Sequence, residues 1–202
     1  RMVYLTDLFG KPVHTWHTPY LPFTAQLLPN GNLLILAFKQ FMLGDNEFPL
    51  REPTLLELGW DGNVLWQYTN NQLHHDFAIL PNGNVAVTVR EKIPKGFAEP
   101  DVIYADAIVE INRNGSAVWT WHAYEHLNKN TDRIETYNTR AEWSHINSVA
   151  YLLKNPIDQT EGYLLSLKQI SKVIIVRKSD GMILWKSPDG MLDSQHDASL
   201  LP

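Results

Sequence analysis

Cysteine is absent from the 202 residues, which excludes disulfides, thiolate metal ligands and thiol nucleophiles and leaves the redox compartment open. Long apolar runs are missing as well. Stretches such as Leu33 to Phe38 are strand-sized, far short of the roughly 20 apolar residues that a membrane-spanning helix needs, so no membrane span is expected. Positive charge is scarce: 17 Lys and Arg against 22 Asp and Glu leave a net charge of −5. Without a global positive field a nucleic-acid partner is disfavoured. No segment sustains the period of an amphipathic helix. The opening residues, Arg1-Met2-Val3-Tyr4-Leu5, carry no charged-then-apolar leader, so a signal peptide is either missing or already removed. What is present is an apolar content of 44%, enough to bury a sizeable core.

That core is written as a repeat. Leu27-Leu28-Pro29-Asn30-Gly31-Asn32 returns as Ile79-Leu80-Pro81-Asn82-Gly83-Asn84, 52 positions on, and a third copy begins at Leu200-Leu201-Pro202. A second signature runs out of phase with the first. It reads Asp61-Gly62 to Trp66, Asn114-Gly115 to Trp119 and Asp180-Gly181 to Trp185, with Trp four residues after Gly each time. Phe9-Gly10 is a weaker first copy, and the Gly-to-Gly spacings are 52, 53 and 66.

Two turns per repeat, flanked by alternating segments such as Val85/Val87/Val89 against Ala86/Thr88, describe a four-stranded antiparallel unit. Asn-Gly and Asp-Gly suit the positive φ of tight primed turns. In the second copy the strands are expected at Asp76–Leu80, Asn84–Val89, Ala107–Ile111 and Ser116–Trp121. Four strands in about 50 residues point to an all-β fold, a β-propeller of four-stranded antiparallel blades, with about four blades in this chain. The repeats fall at about 1–55, 56–108, 109–174 and 175–202 of one incomplete domain spanning 1–202. An open ring would expose strand edges, so further blades are expected, in this polypeptide or another. The Trp of the outermost strand is expected to pack between neighbouring blades.

Both tight turns fall at one end of each blade. The opposite end carries the long connections, Arg90 to Asp106 and His122 to Ser144, and the residues that start each innermost strand. Such loops on a rigid scaffold are where binding groups tend to sit. Six residues before the turn proline stand His75, in His74-His75-Asp76-Phe77, and His196, in Gln195-His196-Asp197-Ala198. The matching segment of the third copy is His145-Ile146-Asn147-Ser148, and the first copy has Phe23. Three readings stand side by side: a repeated hydrogen-bond device that ties the blades, a three-imidazole metal site, and an anion-handling catalytic cluster, since imidazole titrates near neutrality. No carboxylate pattern supports the metal. The i, i+4 pair His122 and His126 reads as a loop brace, His14 and His17 lie far from the axis, and the basic run Lys92–Lys95 and the pair Arg177-Lys178 read as solvated.

These segments resemble the bacterial arylsulfotransferase family. The resemblance rests on His74-His75-Asp76-Phe77 leading into Leu80-Pro81-Asn82-Gly83-Asn84, on Val109-Glu110-Ile111 followed by Trp119-Thr120-Trp121-His122 and His126-Leu127-Asn128, on His145-Ile146-Asn147-Ser148-Val149, and on Gln195-His196-Asp197-Ala198. It implies a six-bladed propeller that moves a sulfuryl group from an aryl sulfate to a phenol without a nucleotide donor, needs no cofactor or metal, and is periplasmic or secreted. His196 would be the transiently sulfated nucleophile. His145 would stabilise the transferring group and protonate the departing oxygen, with His75 and Asn147 binding substrate. The family arginine, in a Ser-x-Arg context, is replaced by Lys168 in Ser166-Leu167-Lys168. Lysine keeps the charge but loses the two-pronged grip. A charged hydrogen bond is worth roughly 1.5–3 kcal/mol, so the exchange could slow transfer by about one to two decades.

The rival reading is a non-catalytic propeller that holds a partner or an anionic ligand on its loop-bearing face. A quinone-dependent dehydrogenase propeller, whose blades also carry Gly followed by Trp, is weakened by the missing paired cysteines. Partners are expected to be small aryl sulfates and phenols, with self-association or assembly with further blades left open.

Overall fold

The computed structural model describes residues 1–41, 50–93, 104–134 and 142–201. Parts of both long connections, Pro94 and Lys95 of the basic run, and Pro202 lie outside the described residues. The chain is all-β and built from the up-and-down antiparallel blades of a β-propeller. No described helix is long and apolar enough to cross a membrane.

Two compact units, Arg1–Leu73 and His74–Pro202, make up the chain. In the first, β1 (Met2–Thr6) pairs with β2 (Pro12–His17), and β3 (Leu21–Leu27), β4 (Leu33–Phe41), β5 (Leu50–Leu58) and β6 (Val64–Thr69) form a four-stranded sheet in chain order. Its core gathers Trp16, Ile35, Ala37, Leu56 and Leu58. The second unit opens within β7 (Leu73–Ile79), which heads a sheet with β8 (Val85–Lys92), β9 (Tyr104–Ile111) and β10 (Ala117–His122). A one-turn helix, α1 (Ala123–His126), follows. The next sheet runs β11 (Ile146–Leu152), β12 (Gly162–Leu167), β13 (Lys172–Arg177) and β14 (Ile183–Lys186). Its core joins Ile108, Trp121, Ile146, Tyr163, Leu165 and Ile174.

Burial follows a strand's place in the blade. In β8 the five residues Val85 to Val89 are all buried, and so is every residue of β12, whereas outermost β10 buries only Trp121. The Val/Ala/Thr alternation therefore sorts β8 by size and not by exposure, because both faces of a middle strand are covered.

The tight turns depart from the primed type expected of Asn-Gly. Gly83 has φ +83 while Asn82 is not in the left-handed region. The Gly83 amide donates to the Leu80 carbonyl (2.9 Å) and the Leu80 amide to the Asn84 carbonyl (2.9 Å). This is a type I turn closed by a left-handed glycine, the geometry that Pro81 at the second position favours. The second Asn of the signature ties the turn to the third strand of its sheet, since Asn32 Nδ2 donates to Glu57 and Asn84 Nδ2 to Glu110, both at 2.6 Å.

Between the sheets of the second unit, β10 reaches into the β13–β14 turn. Trp119 Nε1 donates to the Lys178 carbonyl and Trp121 Nε1 to the Gly181 carbonyl, each at 2.9 Å. The same turn corrects the solvated reading of Arg177-Lys178. Lys178 Nζ lies 2.8 Å from Glu110 Oε2, and Arg177 bonds Asp158 and Asp180. Both side chains stay partly exposed while their charges end on carboxylates.

Candidate active site

His75 and His145 take up the same station in successive blades, and both do so with a left-handed backbone, φ +51 in each case. Left-handed geometry is unfavourable for a side-chain-bearing residue, so neighbouring groups must hold it. Around His75, Thr88 of β8 donates its hydroxyl to the His74 carbonyl and accepts from the Asp76 amide. Around His145, the flanking Ile146 amide donates to Asp106 Oδ2 (2.7 Å), and the Lys168 amide donates to the His145 carbonyl (3.1 Å).

The two rings meet, with centroids 4.6 Å apart and planes at 69°. Behind His75 stands His74, Nδ1 to Nδ1 at 2.7 Å. His74 Nε2 lies 3.1 Å from Asp106 Oδ1 but off the line of a good hydrogen bond, so this contact is chiefly electrostatic. Behind His145 stands Glu142, whose Oε2 accepts from Nδ1 while its Oε1 pairs with Arg90 of β8. Asp106 serves both arms. One oxygen faces His74; the other accepts the Ser144 hydroxyl (2.7 Å) and the Ile146 amide at the strand start that carries His145.

Charge is divided unevenly across this cluster. Burial, then repulsion from His74 and His145, lowers His75 from 6.5 to about 4, against the opposing pull of Asp106 and Glu142. His75 is therefore neutral at pH 7. Burial pushes the Asp106 carboxyl up, but the His74 contact and the Ser144 and Ile146 hydrogen bonds outweigh it and hold Asp106 below the ordinary carboxylate range. Glu142 is likewise raised by burial and lowered further by His145 and Arg90, so both carboxylates stay ionised.

The other expected residues lie on the same unit. Asn147 is buried and donates Nδ2 to the Gln195 carbonyl (2.7 Å), while its Oδ1 is buried with no hydrogen-bond partner among the described residues. Gln195 is clamped by its side chain to Ser166, Leu167 and Lys172. The next residue, His196, is exposed, and its Nδ1 lies 3.1 Å from the Ser194 carbonyl. Left-handed residues flank it as well, Ser194 at φ +49 and Asp197 at φ +56. Lys168 follows β12 with a half-buried side chain and is brought beside His145 through its backbone.

Of the three imidazoles, His75 and His145 are thus joined ring to ring. His196 is brought to the neighbouring strand through Gln195 and through the Ala198 amide, which donates to Ser148 Oγ (3.1 Å). The tying device is separable from the histidines: Asp76 Oδ2 accepts the Val149 amide (3.0 Å), while the His75 ring faces His145. His122 and His126 are braces, the first on Glu91 and the second stacked over Trp121 at 5.2 Å. Residue patterns singled out neither Asp106, Glu142 nor Arg90. A carboxylate inside the apolar strand Tyr-Ala-Asp-Ala-Ile was the available signal for Asp106, since a buried charge demands partners.

No curated protein matches the chain. A crystal structure of a protein of unknown function from Bacteroides caccae, at 1.35 Å resolution, is similar at 14% identity and a TM-score of 0.50, over 93% of this chain and 54% of that one. At that identity the likeness shows the fold alone, and the chain spans about half the length of that structure. Residues 67–197 match the family described as Arylsulfotransferase (ASST). That stretch holds all three histidine segments, Asn147 and Lys168, together with Arg90, Asp106 and Glu142. Matched over well more than half of its length, the chain belongs to the arylsulfotransferase family.

Proposed function

We propose that the protein transfers a sulfuryl group from an aryl sulfate to a phenol by way of a sulfohistidine at His196. The observation that carries this reading is the paired His75 and His145 at one end of the blades, with the Gln195-His196 segment clamped to the adjoining strand through Asn147 and Ser166. A carbonyl oxygen can only accept, so the bond to Ser194 assigns the proton of a neutral His196 to Nδ1 and leaves a lone pair on Nε2.

In the first half-reaction Nε2 of His196 attacks sulfur. The N–S bond forms as the S–O bond breaks, the bond pair leaves with the phenolate oxygen, and a proton from His145 converts that oxygen to a phenol. In the second, an acceptor phenol oxygen attacks the sulfohistidine sulfur and returns its proton to His145, while the N–S pair goes back to His196. The covalent step divides one hard transfer into two easier ones. Lys168 and the imidazoles meet charge on the sulfuryl oxygens, and neutral His75 donates a hydrogen bond without competing with His145 for charge. The family resemblance further supports a periplasmic or secreted setting and small aromatic partners.

The test is release of 4-nitrophenol from 4-nitrophenyl sulfate in the presence of an acceptor phenol. The expected result is acceptor-dependent release that His196→Asn abolishes, with an acid-labile sulfuryl adduct on His196 when the acceptor is omitted. A second reading, a non-catalytic anion-binding propeller, draws support from Lys168 in place of the family arginine. Donor binding with no adduct and no release would establish it instead.

A further inference from the structure

Glu142 and Arg90 have no part in the chemistry described so far, yet they form the outer end of a chain of contacts that stops at His145 Nδ1. Charged and titratable groups surround this histidine directly or through one another, and the segment after β12 adds Lys168, whose amide bonds the His145 carbonyl. Its own segment supplies Glu142, β7 supplies His74 and His75, β8 supplies Arg90 and β9 supplies Asp106. Among the described residues, Glu142 is the one that bonds a nitrogen of the ring itself. Its carboxylate is held ionised and therefore only accepts, so Nδ1 must donate. Arg90 occupies the other oxygen, which stops the carboxylate from turning away. The proton that remains to be exchanged is then the one on Nε2.

A surface brace would use the same atoms, as His122 and Glu91 do. What separates His145 is the company it keeps: a left-handed backbone, a carbonyl fixed by the Lys168 amide, a following amide fixed by buried Asp106, and a ring face set against neutral His75. Orientation is over-determined at one half-buried residue. Such convergence is what a group needs if it must present one nitrogen to a reacting atom.

We propose that Glu142, anchored by Arg90, is a positioning residue that fixes the proton of neutral His145 on Nδ1 and steadies the imidazolium when Nε2 also carries a proton, so that Nε2–H faces the phenolic oxygen. This role rests on the sulfotransfer reading and adds to it the group that sets the acid. The proton given to the departing oxygen comes from Nε2, and the acceptor phenol restores it there. Glu142 stays ionised throughout and exchanges nothing.

Leaving-group dependence provides the test. A basic phenolate needs proton help and a stable one does not, so Glu142→Gln should lower kcat/KM for phenyl sulfate, which reports the first half-reaction alone, by roughly 10²-fold, with a much smaller loss of kcat/KM for 4-nitrophenyl sulfate. Glu142→Asp should recover part of the loss. Independently of turnover, nitrogen NMR of His145 should show the neutral ring protonated on Nδ1 in the unaltered chain, shifting toward Nε2 in Glu142→Gln. Equal losses for both donors would overturn this role and leave the transfer reading intact, as would a neutral His145 with a bare Nδ1 in the unaltered chain. If the unaltered chain transfers nothing from any donor, the sulfotransfer reading falls and takes this role with it.

Discussion

His75 shows how much a single residue is made to tolerate. It keeps a left-handed backbone, at a cost of about 1–2 kcal/mol for a residue with a side chain, and it is pressed between two other imidazoles. Burial and those neighbours lower its titration to about 4. The sign of the consequence follows from linkage: in the unfolded chain His75 takes up a proton near 6.5, and in the folded protein it does not until about 4. Unfolding therefore binds a proton in that window, and the stability present above 6.5 is lost as pH falls toward 4. His75→Asn removes the titration and keeps a residue that accepts left-handed geometry. Urea midpoints at pH 7 and pH 4.5 should differ less in His75→Asn than in the unaltered protein. An unchanged difference would mean that His75 is protonated in the fold as readily as outside it.

At the scale of elements, the repeat was legible because turns and strand period are local properties of sequence. All four strands of the second copy fall where Asp76–Leu80 and its successors put them, lengthened mainly at the loop end. The signature residue Trp119 does pack against the next sheet, stacked on Tyr163 at 5.1 Å, but the pattern did not tell which tryptophan is buried deepest. Trp119 is half-buried, while Trp121, two positions on, is fully buried, donates to the Gly181 carbonyl and lies 3.0 Å from where a Cβ on Gly181 would stand. Trp16 repeats the arrangement in the first unit, donating to the Gly59 carbonyl at 3.0 Å. Burial at this depth depends on the turn of the next sheet, which no window of local sequence contains. Trp121→Ala should accordingly cost about 3–5 kcal/mol in chemical denaturation. Trp185→Ala, at a signature position that is 39% exposed, should cost under about 1 kcal/mol. Equal costs at the two positions would mean that the signature, and not depth, marks the anchor.

Across the whole molecule, the same division between local and distant information decides how much of the site could be read in advance. The three histidine segments stand out because each copies a position of the repeat, and Lys168 stands out only through the family resemblance. Asp106, Glu142 and Arg90 belong to the site through pairings between separate strands and segments, and a buried carboxylate announces its need for a partner without naming one. The net charge of these 202 residues, by contrast, is read directly, and on the sulfotransfer proposal it bears on how an anionic donor arrives. A chain at −5 repels a sulfate ester from a distance, whereas Lys168 offers its charge only at short range. Salt at physiological strength shortens electrostatic reach to about 8 Å, which weakens the long-range repulsion before it weakens contacts inside the site. Raising sodium chloride from low to physiological concentration should therefore increase kcat/KM for the aryl sulfate by about two- to threefold. The kcat value and the KM of the neutral phenol acceptor should stay unchanged. A steady fall of kcat/KM with salt would instead mean that a positive field at the mouth of the site, and not the charge of the chain, governs the donor's approach.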